Sequence, residues 1–201
     1  MMKTAQDYAW FEKDFPDIAE AYCFTLVHGL SPAEVMSRLE GHPEAPARGI
    51  PAFIDAAITR SDLVETHRQL VAMTTLGAWT LLIEHNGYLG VTENRALPAS
   101  AGATWVSHFV NVNGVGTFFW AEDQELQLCF DLIFPEDRWG NAPDELVEVM
   151  GRIGFHFDEE AAETDLSTPA AFALAEYVTG VAITPTLLQE TTFNCSTVQV
   201  R

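Results

Sequence analysis

The stretch that decides the fold covers residues 105–134 and consists of three strand-like runs joined by short turns. The runs read Trp105-Val106-Ser107-His108-Phe109-Val110-Asn111-Val112, Thr117-Phe118-Phe119-Trp120 and Glu125-Leu126-Gln127-Leu128-Cys129-Phe130-Asp131-Leu132-Ile133-Phe134. Aromatic and β-branched residues favour strands, and the intervening Asn113-Gly114 and Glu122-Asp123 are typical of tight turns. The sequence therefore predicts an antiparallel β-meander that supplies the centre of a sheet.

Further elements are predicted on both sides of the meander. Residues 21–27 are apolar enough for a buried strand, and Ser31, Pro32 and Glu34 then have the pattern of a helix start with a capping box. A helix over 142–153 capped by Asn141 follows the meander, and residues 193–200 predict a closing edge strand. These elements favour the α+β class, with a largely antiparallel sheet, a central β-meander and helices packed mainly on one face.

Length and local composition favour a single α+β domain over residues 1–201. Two segments inside it are predicted to be loops. Residues 42–49 combine two prolines with a glycine, and residues 157–166 are rich in acidic side chains.

The charge of the chain is strongly negative. The 29 acidic and 10 basic residues give a formal net charge of −19 at pH 7, and 14 of the acidic residues lie between residues 120 and 165. Such a field repels nucleic acid and anionic membrane surfaces, so neither is expected as a partner. A basic protein, or solubility alone, fits this charge better. The 48% of hydrophobic residues is sufficient for a sizeable core.

The cysteines and the apolar runs bear on the cellular compartment. Cys23, Cys129 and Cys195 are widely spaced and form no CxxC pair, which argues against a disulfide framework or a zinc site. No apolar run is typical of a signal peptide or of a membrane span. We therefore expect reduced thiols and a cytoplasmic location.

Three stretches carry a resemblance to a known family. They are Cys23-Phe24-Thr25-Leu26-Val27-His28-Gly29-Leu30-Ser31-Pro32-Ala33-Glu34-Val35, Gly77-Ala78-Trp79-Thr80-Leu81-Leu82-Ile83-Glu84, and Thr168-Pro169 with Gly180-Val181-Ala182-Ile183-Thr184-Pro185. In these stretches the chain resembles an uncharacterised actinobacterial domain-of-unknown-function family. The resemblance implies a bacterial, cytoplasmic, stand-alone domain, and it implies no activity and no catalytic residues.

No motif of a catalytic, cofactor or metal site stands out. The six histidines lack the spacing that pre-forms a metal site, so neither a metal nor a cofactor is expected. Gly114-Val115-Gly116 lies between two strands, whereas a dinucleotide fingerprint requires a helix start there. Ser107 and His108 are strand neighbours that point to opposite faces, so they cannot act together as nucleophile and base. The absence of such motifs favours a protein that is not an enzyme.

Two functions remain open. The first is an acidic, immunity-like or inhibitor-like module that neutralises a basic protein, with the partner-binding residues Trp120, Asp123, Asp131, Glu136, Asp137 and Trp139. The alternative is a small-molecule ligand-binding domain or hydrolase with a pocket on the sheet, lined by Trp79, His85 and His108. A deep apolar pocket would favour the second function, and a convex acidic face would favour the first. The sequence does not determine the oligomeric state.

Overall fold

The computed structural model describes residues 2–61, 68–157 and 166–200. In these parts of the chain, eight strands form one sheet with the order β2-β8-β3-β4-β1-β5-β6-β7, and every neighbouring pair is antiparallel. The strands are β1 Tyr22–His28, β2 His42–Arg48, β3 Arg68–Leu76, β4 Trp79–His85, β5 Thr104–Val110, β6 Gly116–Glu122, β7 Glu125–Asp131 and β8 Thr192–Gln199.

Helices connect most of the strands and cover the sheet. They are α1 Ala5–Tyr8, α2 Trp10–Asp14, α3 Pro16–Ala19, α4 Pro32–Arg38, α5 Gly49–Ser61, α6 Glu93–Ala99, α7 Val147–Ile153, α8 Ser167–Thr179 and α9 Pro185–Glu190. A 3₁₀ turn, Leu89–Val91, precedes α6. None of the helices in the described parts of the chain has the length and apolar character needed to cross a membrane.

The two faces of the sheet bury different side chains. On one face, Tyr22 and Phe24 of β1 join a core that includes residues of α1, α2, α3, α5, α7, α8 and α9. Phe172 of α8 is the centre of its aromatic cluster, with ring centroids 4.4 Å from Phe11 and 4.3 Å from His108. The other face packs against α4, α6 and the 3₁₀ turn. The predicted α+β class, with helices mainly on one face, is therefore confirmed.

The meander is confirmed as β5, β6 and β7, but it forms one end of the sheet and not its predicted centre. The middle position belongs to β1, which hydrogen-bonds to β4 on one side and to β5 on the other. The reason is visible in β1 itself, since its first six residues are all buried. A strand buried on both faces suits the interior of a sheet, whereas β7 is at the edge in the described residues.

The prediction of a loop over residues 42–49 is wrong, because His42–Arg48 forms strand β2. A central strand hydrogen-bonds to a neighbour on each side, and proline has no N–H to donate to either of them. Proline is therefore tolerated mainly in an edge strand. β2 has this edge position, pairs only with β8 among the described strands, and has a bulge between Glu44 and Ala47. Of the second predicted loop, 157–166, residues 158–165 lie outside the described residues.

Two further predictions differ from the structure near the chain's later elements. The helix expected over 142–153 begins only at Val147, because Asn141 and Ala142 donate backbone hydrogen bonds to Leu126 and Gln127 of β7. These hydrogen bonds tie the segment to β7 at the point where Asn141 is expected to cap a helix. The closing strand is internal rather than at an edge, since β8 lies between β2 and β3.

Helix α4 begins with the predicted capping box. The Ser31 hydroxyl accepts a hydrogen bond from the Glu34 N–H at 3.3 Å, and the Glu34 carboxylate accepts one from the Ser31 N–H at 2.8 Å. We expect Ser31→Ala to lower the free energy of unfolding by about 1 kcal/mol, since one N–H of the first turn loses its partner. Urea unfolding measures this loss, with Ser37→Ala on the same helix as the control. An equal effect of the two substitutions would contradict a capping role.

Candidate functional site

The candidate site is the segment 131–139, which starts at the last residue of β7 and is here called the β7 loop. The Asp131 carboxylate accepts a hydrogen bond from the Ile133 N–H at 2.8 Å, and the Asp131 carbonyl accepts one from the Phe134 N–H at 3.1 Å. These turns end the strand, and beyond the buried Leu132 they direct the side chains of Ile133 and Phe134 outwards. Ile133 is 49% exposed and Phe134 is 55% exposed.

The β7 loop returns to the sheet at Trp139. The Trp139 N–H and carbonyl hydrogen-bond to Cys129 of β7, at 2.9 and 2.8 Å. Gly140 has a φ of +133°, and a side chain there would collide with the backbone of Gln127, so the close return depends on glycine. The result is that part of the β7 edge is covered while the Trp139 side chain stays 48% exposed.

Arg138 stabilises the β7 loop from within. Its Nε donates to the Asp144 carboxylate at 2.9 Å, and a second guanidinium nitrogen donates to the Pro135 carbonyl at 3.2 Å. The guanidinium also lies over the Phe157 ring, 5.7 Å from its centroid. Because Arg138 is neutralised by Asp144, the exposed carboxylates of Glu136 and Asp137 give the outer surface of the loop a negative charge.

Four of the six predicted partner-binding residues lie in the β7 loop, namely Asp131, Glu136, Asp137 and Trp139. Trp120 is elsewhere, because it packs half-buried against the core on the face that bears Phe118, whereas Trp139 pairs beside Cys129 on the opposite face. Asp123 lies in the β6–β7 turn, at the far end of β7, about 20 Å from Asp131. There it accepts a hydrogen bond from the Gly102 N–H at 2.7 Å.

The three residues predicted to line an alternative pocket do not come together. Trp79 begins β4 beside His28, with ring centroids 4.9 Å apart, and His85 ends the same strand about 20 Å away. His108 is buried in the aromatic core between Phe24 and Phe172. Burial lowers the pKa of His108 to about 3, so its imidazole is neutral at physiological pH.

The sequence does not predict a buried polar cluster that lies on the face of the sheet packed against α4 and α6, here called the α4–α6 face. The Glu84 carboxylate accepts hydrogen bonds from the N–H groups of Leu89 and Gly90, at 2.9 and 3.0 Å, and so anchors the 3₁₀ turn to the sheet. Thr25 and Ser107 share a hydroxyl–hydroxyl hydrogen bond of 2.9 Å beneath the same turn. Burial raises the pKa of Glu84 from 4.5 to about 7, and the amide hydrogen bonds oppose this rise only in part.

The composition of this cluster resembles that of a nucleophilic site, but its environment is unsuitable for one. Burial, assisted by the nearby charge of Glu84, raises the pKa of the Cys23 thiol well above its ordinary value. A reactive cysteine needs a lowered pKa and access to solvent, and Cys23 has neither. Within residues 2–61, 68–157 and 166–200, no group of three or more His, Cys, Asp or Glu side chains is arranged to hold a metal ion.

A cavity of about 250 Å³ lies beside the β5–β6 turn. Glu12 of α2 and Glu20 after α3 line it together with Val112 and Leu132. Leu132 directly precedes the exposed Ile133, so the cavity adjoins the β7 loop. The sequence offers no signal for this arrangement, because residues about 100 positions apart form its walls.

Comparison with known proteins identifies a family for the chain. The search of curated proteins and the search of solved structures each found no match. One family model, described as a family of unknown function (DUF6461), matches residues 1–201 and thus the whole sequence. The resemblance to a domain-of-unknown-function family is confirmed by this match, and the chain belongs to the family of unknown function DUF6461.

Proposed function

We propose that the chain is an acidic protein-binding module that neutralises a basic protein partner, as immunity and inhibitor proteins do. The observation that carries the proposal is the β7 loop, where the half-exposed side chains of Ile133, Phe134 and Trp139 lie among the exposed carboxylates of Glu136 and Asp137. Soluble proteins tend to bury large apolar groups, so a concentration of them on one short loop is typical of an interaction surface.

The net charge of the chain and the exposed aromatic side chains of the β7 loop have separate roles in this proposal. A net charge of −19 attracts a basic partner over a distance and raises the association rate. Contact then desolvates Trp139 and Phe134, which hold the complex by burying apolar area. The hydrogen bonds of Arg138 and the pairing of Trp139 with Cys129 keep the loop ordered before binding, which lowers the entropy lost on association.

The proposal includes a cytoplasmic location, which the unpaired, buried thiols of Cys23, Cys129 and Cys195 support. The alternative function, a ligand or hydrolytic site on the sheet, finds less support. Trp79, His85 and His108 lie apart, and His108 is enclosed by aromatic rings.

A pull-down from lysate of the source organism at low salt identifies the partner, and surface plasmon resonance then measures its affinity. We expect Trp139→Ala to weaken binding about thirtyfold, which corresponds to the roughly 2 kcal/mol of an aromatic hot spot. Tyr177→Ala is the matched control, because Tyr177 is an aromatic residue that is 49% exposed and belongs to α8, not to the β7 loop.

Salt provides the second readout. The association rate of the wild type should fall at least tenfold between 0.05 and 0.5 M salt, on the order expected for steered encounters. The double variant Glu136→Gln/Asp137→Asn should lower the rate at low salt and reduce this dependence. The proposed function would be overturned if the association rate did not depend on salt and Trp139→Ala left the affinity unchanged. A pull-down that captures no basic protein at low salt would also overturn it.

A further inference from the structure

The cavity beside the β5–β6 turn combines acidic and apolar walls. Among the described residues that line it, Glu12 and Glu20 are the charged ones, and both are acidic. Val110, Val112 and Leu132 supply apolar surface. Carboxylates next to apolar walls suit a chemical group that has a methylene stem and a positively charged head.

Polar groups without formal charge complete the lining. Asn111 contributes an amide whose oxygen accepts hydrogen bonds from the N–H groups of Asn113 and Val115, at 2.9 and 3.2 Å, so the turn is held in one shape. The Thr168 hydroxyl, at the start of α8, hydrogen-bonds to the buried phenol of Tyr22. The site is therefore supported by the core as well as by the turn.

The size of the cavity limits the ligand. Its volume of about 250 Å³ lies below the roughly 300–1,000 Å³ of sites for drug-sized ligands and cofactors. One long side chain is of a suitable size. The neighbouring surface also indicates a macromolecular ligand, because the turn exposes Val112 and Val115, and Leu132 leads directly into the exposed Ile133 and Phe134.

We infer that this cavity receives one basic side chain, an arginine or a lysine, of the protein that binds the β7 loop. The inference rests on the proposed function and adds to it a defined subsite for a cation. In the bound state the carboxylate of Glu20 pairs with the cationic head, and Val112 and Leu132 contact the methylene stem. The exposed apolar residues on both sides of the cavity then contact the surrounding partner surface.

The subsite can be tested without the partner by using Nα-acetyl-arginine amide as the probe. Its neutral isostere, Nα-acetyl-citrulline amide, has the same shape without the charge. We expect the arginine probe to bind saturably, with a dissociation constant on the order of 1 mM. NMR shift changes should centre on the amides of Val110, Asn111 and Gly114. The citrulline probe should bind at least about tenfold more weakly, since the charge-assisted hydrogen bonds are lost.

Two variants and one control locate the binding. Glu20→Gln should weaken the arginine probe about tenfold, and Ala19→Leu should weaken it by filling the cavity. Asp17→Asn removes the same charge from helix α3 but does not line the cavity, so it should leave binding within about twofold. Shift changes that spread over the acidic surface, equal binding of both probes, or no effect of Glu20→Gln would each overturn the subsite.

The same variants separate the subsite from the proposed function. If a basic protein binds and Trp139→Ala weakens it, while Glu20→Gln and Ala19→Leu leave it unchanged, the subsite fails and the proposed function stands. If no basic protein binds but the arginine probe saturates the cavity and responds to Glu20→Gln, the proposed function fails and the cavity is a site for small organic cations.

Discussion

Gly90→Ala should lower the free energy of unfolding by at least about 3 kcal/mol. The 3₁₀ turn that contains Gly90 lies directly on β1 and β5. A Cβ atom at this position would lie 2.8 Å from the sulfur of Cys23 and 3.0 Å from the Ser107 hydroxyl, and it would come closer still to the Thr25 hydroxyl. All three side chains are fully buried, so none can move aside into solvent.

Moving the turn outwards does not relieve the clash at low cost. The Gly90 N–H donates to the Glu84 carboxylate at 3.0 Å, and the Gly90 carbonyl accepts from the Trp105 indole at 2.8 Å. A shift of the turn breaks both hydrogen bonds and leaves their buried partners unsatisfied. The penalty therefore combines overpacking with the loss of a hydrogen-bonded anchor.

Urea unfolding measures the effect of Gly90→Ala against a matched control. Gly151→Ala makes the same substitution in helix α7, where the new Cβ would lie 3.9 Å from Phe157, an ordinary contact. This control should gain about 0.5–1 kcal/mol, because alanine favours the helix.

A double-mutant cycle identifies the clash as the cause. Thr25→Ala removes the nearest colliding atom, so combining it with Gly90→Ala should recover part of the stability. The double variant also gives a measurable protein if Gly90→Ala alone does not fold. A loss below about 1 kcal/mol for Gly90→Ala, or strict additivity with Thr25→Ala, would contradict the proposed packing.

Elements that depend on neighbouring residues could be predicted from the sequence, and those that depend on strand order could not. The capping box of Ser31 and Glu34 is formed within four residues, and the apolar run of β1 needs no partner to be recognised. The middle position of β1 and the internal position of β8 are set by pairing between distant segments. Local patterns carry little information on such pairing.

Two errors have a common physical cause. The prolines of β2 suggested a loop, and Asn141 with Pro143 suggested a helix start, since both patterns follow intrinsic backbone preferences. In the folded protein, hydrogen bonds to a neighbouring strand prevail over these preferences. β8 holds β2 extended, and backbone hydrogen bonds to β7 tie Trp139, Asn141 and Ala142 to that strand.

The same distinction between residues close in sequence and residues brought together by the fold applies to the candidate site. Asp131, Glu136, Asp137 and Trp139 were predicted together because one loop contains them. Trp120 and Asp123 were added from nearby sequence, but the alternation of strand faces and the length of β7 separate them from the loop. The cavity joins Glu12 and Glu20 to the β5–β6 turn through the fold alone.

Glu84 should make the folded protein less stable as the pH rises from about 4.5 to about 7. Burial raises its pKa in the folded state from the ordinary 4.5 to about 7, so in this range the folded chain binds a proton that the unfolded chain has released. The stabilisation is complete below pH 4.5 and is lost as the pH passes through 7. The pKa difference corresponds to a loss of about 3 kcal/mol.

Over part of the same pH range, the titration of His108 changes the free energy of unfolding in the opposite direction. Burial lowers its pKa from 6.5 to about 3, so its contribution to stability falls as the pH decreases below 6.5. The total stability of the wild type therefore changes less with pH than Glu84 alone would cause. The difference between the wild type and Glu84→Gln isolates the carboxyl, because both proteins contain the same His108.

The quantity to compare is the free energy of unfolding of the wild type minus that of Glu84→Gln. We expect this difference to fall by about 3 kcal/mol between pH 4.5 and pH 7 and to be constant above about pH 8. Urea unfolding at a series of pH values measures this difference. Glutamine keeps one acceptor for the N–H groups of Leu89 and Gly90 and has no proton to release, so its penalty is independent of pH. A difference that stays constant across the range, or that rises with pH, would show that the amide hydrogen bonds outweigh burial and hold Glu84 ionised in the folded protein.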